Sequence, residues 1–193
     1  MKQIVDLANR ADDADLIVHT EHDEDLLHIS FEQLSTLVFE WSPTLFPNRL
    51  RSAAYSRAIQ ESSLPNPVAT SENLVPAPAR ISSSDGPEPF YAFLLGESAT
   101  RPDACSPSVL YDQIEEVATV SKLLRLSVGL VPAAFCPPGL VEPFTIYEDR
   151  IGPFAVSVPH HSGVAFLTDQ AAVKRYAKTA NWLRGGITDD LWS

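Results

Sequence analysis

The sequence predicts an α+β fold, a single domain in which a small mixed or antiparallel sheet is covered by helices on one face. Three observations lead there. Four short apolar runs between residues 126 and 167 are bounded by proline or glycine, as brief strands are. Two segments, 106–124 and 169–184, instead repeat apolar residues at three- and four-residue spacings, as amphipathic helices do. With 193 residues, 45% of them hydrophobic, the chain can fill one core and is too apolar to be mostly disordered.

The elements follow in order. Residues 1–29 read as an acidic arm, because eight of the eleven net negative charges fall within the first forty residues. Its alternation of charge and alanine gives no long apolar stripe. Leu27, Phe31, Leu34 and Val38 then predict a helix over 26–39, with Ser30 as its cap. Pro43 and Pro47 interrupt any helix between them. A second helix is predicted over 50–60, with Leu50, Ala54, Arg57 and Ala58 along one side. Residues 62–89 hold six prolines and a Ser82, Ser83, Ser84, Asp85, Gly86 run, and read as an irregular linker inside a domain spanning 30–193.

From Phe90 the signals sharpen. Residues 90–95 form a continuous apolar strand. Ser106 followed by Pro107 opens a helix whose inward residues are Val109, Leu110, Ile114, Val117, Val120 and Leu124. Strands are predicted at 126–131, 144–147, 154–158 and 164–167. Asp169 caps a last helix that turns Val173, Tyr176, Ala180 and Leu183 inward and ends at Gly185 and Gly186.

Several blocks carry a family resemblance by their order and spacing. Pro43, Thr44, Leu45, Phe46 and Pro47 run into Tyr55, Ser56, Arg57 and Ala58. Leu94, Leu95, Gly96 and Glu97 are followed by Arg101 and Pro102, then Gln113 and Ile114, Val131 and Pro132, and Pro143, Phe144, Thr145 and Ile146. Phe166, Leu167, Thr168 and Asp169 precede Lys174, Arg175 and Tyr176. Over residues 34–192 this pattern resembles the effector domain of actinobacterial helix-turn-helix regulators of the WhiJ-like, or antitoxin-like, kind. The resemblance implies an effector fold of regulator ancestry. It also has departures: Asn48, Arg49, Leu50, Arg51 and Ser52 stand where the family has a glycine–leucine–leucine–glutamine–threonine run, and Pro159 stands where it has a glutamate. The segment before Leu34 is too short for a helix-turn-helix head, so an effector domain without its DNA-reading part is expected.

Candidate chemistry centres on a few side chains. His160 and His161 lie between Pro159 and a turn at Gly163, and an imidazole near neutral pKa can move a proton without a cofactor. Glu97, at a strand end, either accepts a hydrogen bond from a ligand or pairs with Arg101. These three are the candidate catalytic residues. Trp41, Tyr55, Phe144 and Tyr147 are the candidate ligand-binding residues, with Trp41 and Tyr147 expected to line one pocket. His19, Glu21, His22, Asp23, Asp25 and His28 carry metal-ligating groups, but a solvated acidic arm is the favoured reading, so no metal is assigned. Cys136 lacks the basic neighbours that activate a thiol, and neither it nor Cys105, the only other cysteine, belongs to a metal-spaced pair. No phosphate loop, nucleophile elbow or dinucleotide fingerprint occurs, and no cofactor is expected.

Net charge −11, with the remaining Lys and Arg read as dispersed, opposes contact with nucleic acid or an anionic membrane. No apolar run reaches membrane-spanning length and no leader is visible, so a cytoplasmic location is expected. The expected function is a stand-alone effector domain that binds a small molecule or a protein partner without binding DNA. The alternative is a cofactor-independent cyclase or isomerase of secondary metabolism recruited from such a domain.

Overall fold

The first helix ends sooner than its apolar stripe suggests. In the computed structural model, which describes residues 16–18, 21–61, 88–101, 105–122, 125–136, 139–160 and 163–187, helix α1 spans Glu21–Leu34. Strand β2, Leu37–Ser42, follows almost at once. Ser35 closes the helix: its hydroxyl donates to the Phe31 carbonyl at 2.7 Å and its amide to that of Glu32 at 3.0 Å. Beyond it Val38, Phe39 and Trp41 are better suited to a pleated surface than to a helix. Leu27 and Phe31 are buried as expected, but Leu34 is exposed and Val38 belongs to the strand. Ser30 is no cap; it lies inside α1 and donates to the Leu26 carbonyl at 2.6 Å. α1 runs through residues 29 and 30 without a break.

Six strands form a mixed sheet, lengthened at one edge by the three-residue β1, Leu16–Val18. The others are β2, β3 (Phe90–Gly96), β4 (Leu126–Val131), β5 (Phe144–Glu148), β6 (Pro153–His160) and β7 (Gly163–Leu167). Their order is β1-β7-β6-β5-β2-β3-β4. β2, β3 and β4 run parallel, and the remaining pairs are antiparallel. The parallel crossovers need long connections, supplied by α2 (Ala53–Glu61) and α3 (Pro107–Val120), while hairpins join β5, β6 and β7. Gly163, at φ 143°, takes a backbone conformation that side chains disfavour, in the β6–β7 turn.

Helices cover both faces of the sheet, not the single face expected. One apolar cluster joins Leu27 and Phe31 of α1, Tyr55 and Ile59 of α2 and Leu110, Val117 and Val120 of α3 to Val38, Tyr91, Phe93, Tyr147 and Phe166. The other joins Val173, Ala180 and Leu183 of α4, Gln170–Arg184, to Phe39, Trp41, Leu94, Phe144, Ile146 and Val156. The unbroken apolar run at the start of β3 is the signature of a strand buried on both sides. α2 is also rotated from its expected setting: Tyr55 and Ile59 face inward, while Ala54 and Arg57 are exposed.

The last two helices open as their sequences predict. Ser106 accepts from the Val109 amide at 3.5 Å, and Asp169 from the Ala172 amide at 2.8 Å. Gly96 permits a close approach of chain to chain, since a Cβ there would lie 2.4 Å from the Pro43 carbonyl oxygen. Gly96→Ala is therefore expected to cost about 2 kcal/mol or more, measured by urea unfolding. The linker residues 62–87, with His161 and Leu124, lie outside the described residues. Among the described residues no helix is long and apolar enough to cross a membrane.

Candidate functional site

Along β2 the side chains alternate, and the alternation places a carboxyl where the core should be apolar. Val38, Glu40 and Ser42 face the α1–α3 side; Phe39 and Trp41 face α4. Glu40 lies opposite Phe93 of β3 and Thr145 of β5, and Thr145 lies opposite Ser157 of β6. Paired residues share a face, so Glu40, Thr145 and Ser157 form a polar row at the centre of the sheet. Phe93 bounds it on one side and Phe166, opposite Ser157, on the other.

Helix α1 lies over this row and lowers two polar side chains toward it, one turn apart. The His28 Nδ1 is hydrogen-bonded to the Tyr147 hydroxyl, which also lies 3.4 Å from the Ser157 hydroxyl. With Tyr147 donating to His28, its single proton is committed, and Ser157 donates to Tyr147. Glu32 pairs with Arg49 of the short turn Asn48–Leu50 and accepts from the Tyr91 hydroxyl at 3.4 Å. The Arg49 guanidinium also lies over the Tyr91 ring, 5.1 Å from its centre.

The electrostatics follow from enclosure. Burial, helped by the Arg49 charge, lowers His28 to about 4, leaving its imidazole neutral at physiological pH. Burial raises Glu40 to about 7 against the pull of Arg49 and Arg51, with Glu32 adding to the rise. Tyr147 is pushed far upward, by burial first and by the Glu32 charge second, so it stays protonated. Burial opposes the charge on Arg49, but Glu32 outweighs it and the guanidinium's pKa is raised. The site therefore holds a fixed ion pair, a tyrosine that stays protonated, a neutral imidazole and a carboxyl near its midpoint at neutral pH. Ser157 and Tyr147 are sealed, while Glu32, Arg49, Glu40 and Thr145 are half-buried and line the outer part.

The lowered His28 fixes a sign. Between about 4 and 6.5 the unfolded chain binds a proton that the folded chain refuses. The stability associated with neutral His28 is present above 6.5 and is lost as pH falls toward 4. The urea midpoint of His28→Leu should rise relative to wild type as pH falls from 6.5 toward 4; a difference that stays constant with pH would show that His28 does not carry this term.

The residues named from sequence do not converge. Tyr147 belongs to the site, but Trp41 lies on the opposite face of the sheet, so the two do not line one pocket. Trp41 is fully buried, its indole N–H 3.4 Å from the Leu140 carbonyl. Phe144 packs against Phe39 and Tyr176 on that same far face. Tyr55 is buried edge-on against Phe46. Glu97 accepts from the Ala133 amide at 2.8 Å and stands 3.7 Å from Arg101, the structural alternative weighed for it. His160 closes β6 opposite Gly163, and alternation from Ser157 sets it on the α4 side, away from His28. Of the acidic arm's histidines, His28 is turned into the protein, edge-on to Phe166 at 5.0 Å. Among the described residues no three His, Cys, Asp or Glu side chains gather as a metal shell requires.

A model of the domain of unknown function DUF5753 matches residues 26–185, most of the chain. The chain belongs to the DUF5753 family. No curated protein matches it. The match begins inside α1 and ends just past α4, so it takes in every described side chain of the polar site.

Sequence reasoning missed Glu32, Glu40, Arg49, Thr145 and Ser157. Glu40 had a signal: a lone charge inside the apolar run Leu37, Val38, Phe39, Trp41.

Proposed function

We propose that this DUF5753 domain is a small-molecule-binding effector domain of the WhiJ-like regulator type, acting in the cytoplasm without contacting DNA. The polar row beneath α1 is its ligand site. One observation carries the reading: Glu40, Thr145 and Ser157 occupy the middle of a sheet whose neighbouring positions are filled by aromatics. A carboxyl raised to about 7 there is costly to the fold, and such costs gather where function requires them. Apolar walls with a few fixed polar groups are what small-molecule recognition uses. The net charge of −11 supports the absence of DNA contact.

The test is a thermal-shift screen of small polar and aromatic compounds, followed by titration of the hits. Hits should bind Glu40→Gln and Thr145→Val, changed at side chains on the outer part of the row, at least tenfold more weakly than wild type, corresponding to about 1.4 kcal/mol. Hits that bind both variants unchanged would remove the site from consideration.

The enzyme alternative is favoured by a different observation, the chain Ser157 to Tyr147 to neutral His28, which can pass a proton without a cofactor. It predicts slow conversion of a bound compound, such as a cyclisation or isomerisation. Conversion should be lost in His28→Gln while binding persists; a compound that binds and is never converted supports the effector reading.

A further inference from the structure

The Lys and Arg side chains are not dispersed. Four of the chain's 14 lie on α4, which contains no Asp or Glu. Arg184 is engaged, 3.7 Å from Glu148 and over the Phe39 ring. The other three, Lys174, Arg175 and Lys178, are exposed, and among the described residues none of them forms an ion pair. At 3.6 residues per turn, Ala171, Lys174, Arg175, Lys178, Asn181 and Trp182 fall on one stripe, opposite the buried Val173, Ala180 and Leu183.

An aromatic platform ends this stripe. Trp182 stacks on Phe135 with ring centres 4.3 Å apart and planes 18° apart, yet stays 44% exposed. The arrangement is built in: a Cβ on Gly186 would fall 2.0 Å from the Phe135 ring, so only glycine lets that ring lie against the helix end. Among the described residues Glu142 lies beside this face, acting on Tyr176 together with Arg175.

We propose that the outer face of α4 docks an acidic segment of a partner protein, its carboxylates along Lys174, Arg175 and Lys178 and an apolar side chain on Trp182. Charge complementarity identifies the partner's chemistry. Eight of the eleven net negative charges fall in the first forty residues, and α4 is the α-helix without Asp or Glu among the described residues, so attraction for an acidic partner concentrates there. A preformed aromatic surface supplies the anchor that charge alone lacks, since exposed rim pairs contribute little binding and fix orientation instead. Nucleic acid fits less well. Three cations on one helix offer few phosphate contacts, and the rest of the chain opposes a polyanion.

The test is fluorescence anisotropy with the full chain and a labelled twelve-residue Asp/Glu peptide carrying one central Phe. Controls are the same peptide with Ala for Phe and a single-stranded oligonucleotide of equal charge. Wild type should bind the Phe peptide, more weakly as salt rises. The triple variant Lys174→Glu, Arg175→Glu and Lys178→Glu, whose side chains are all exposed, should bind at least tenfold more weakly with unchanged unfolding. Trp182→Ala should weaken the Phe peptide several-fold and leave the Ala peptide unaffected. No binding at low salt, equal binding by the triple variant, or tighter binding of the oligonucleotide would each overturn the proposal.

Discussion

Glu40→Gln should make the protein more stable at pH 8 by about 2 kcal/mol. Glu40 moves from an ordinary 4.5 to about 7 because burial disfavours its charged form. Between those values the folded chain holds a proton that the unfolded chain has released, so stability falls as pH rises through this window. The full linkage amounts to about 3 kcal/mol, and the half-exposed carboxyl reduces it to about 2. Glutamine keeps the size and the hydrogen-bonding capacity of the protonated acid, so it removes the cost. His28 has the opposite slope, losing stability as pH falls from 6.5 toward 4. The two windows overlap, and in wild type they offset each other between about 4.5 and 6.5. Glu40→Gln should therefore uncover the His28 rise with pH, and His28→Leu should uncover the Glu40 fall. Urea midpoints from pH 4 to 8 on the three proteins decide the matter. If Glu40→Gln proves less stable than wild type at pH 8, the carboxylate is not penalised in the folded state and the argument for a functional Glu40 is lost.

Much of the fold was legible because the later elements carry local signals that agree with one another. Strand β4 occurs at the residues expected, and α3 and α4 begin at the caps that Ser106 and Asp169 announce. The failures share a cause. Leu27, Phe31, Leu34 and Val38 fit one helical stripe, yet Ser35 ends α1 and pairing with β3 and β5 claims Val38 for the sheet. Long-range pairing is invisible to local periodicity. The site fared worse for the same reason. Its members come from α1, β2, the turn Asn48–Leu50, β3, β5 and β6, and no spacing in the sequence brings them together. Tyr147 lies beside these residues, but Trp41, expected next to it, points to the other face. A single-residue parity along β2 and β5 decides that difference, and it could be read only once the register was known.

Replacing Gln113 with leucine should cost about 3 kcal/mol and should weaken the site without touching it. Gln113 is fully buried in α3, a position where an amide persists only if both ends are satisfied. Its Nε2 donates to the Leu50 carbonyl at 2.6 Å, and its Oε1 accepts from the Ser52 amide at 2.7 Å. One side chain thus replaces the backbone partners that the irregular turn around Leu50 lacks. Leucine has a similar volume, so packing changes little. It leaves a buried carbonyl and a backbone amide unpaired, each costing about 1–3 kcal/mol. The same turn carries Arg49, whose pairing with Glu32 helps hold α1 over the polar row. A loosened turn should therefore weaken ligands that bind at the polar row, although Gln113 lies outside that site. Gln113→Glu provides the internal control. A protonated glutamic acid keeps an oxygen for the Ser52 amide and an O–H for the Leu50 carbonyl, whereas the ionised carboxylate presents no donor and should destabilise. Its loss should grow with pH as the buried carboxyl ionises, whereas the loss in Gln113→Leu should not depend on pH. Equilibrium urea unfolding of the three proteins at pH 5 and pH 8 separates the cases, and leucine tolerated within about 0.5 kcal/mol would show that the turn is held by other contacts.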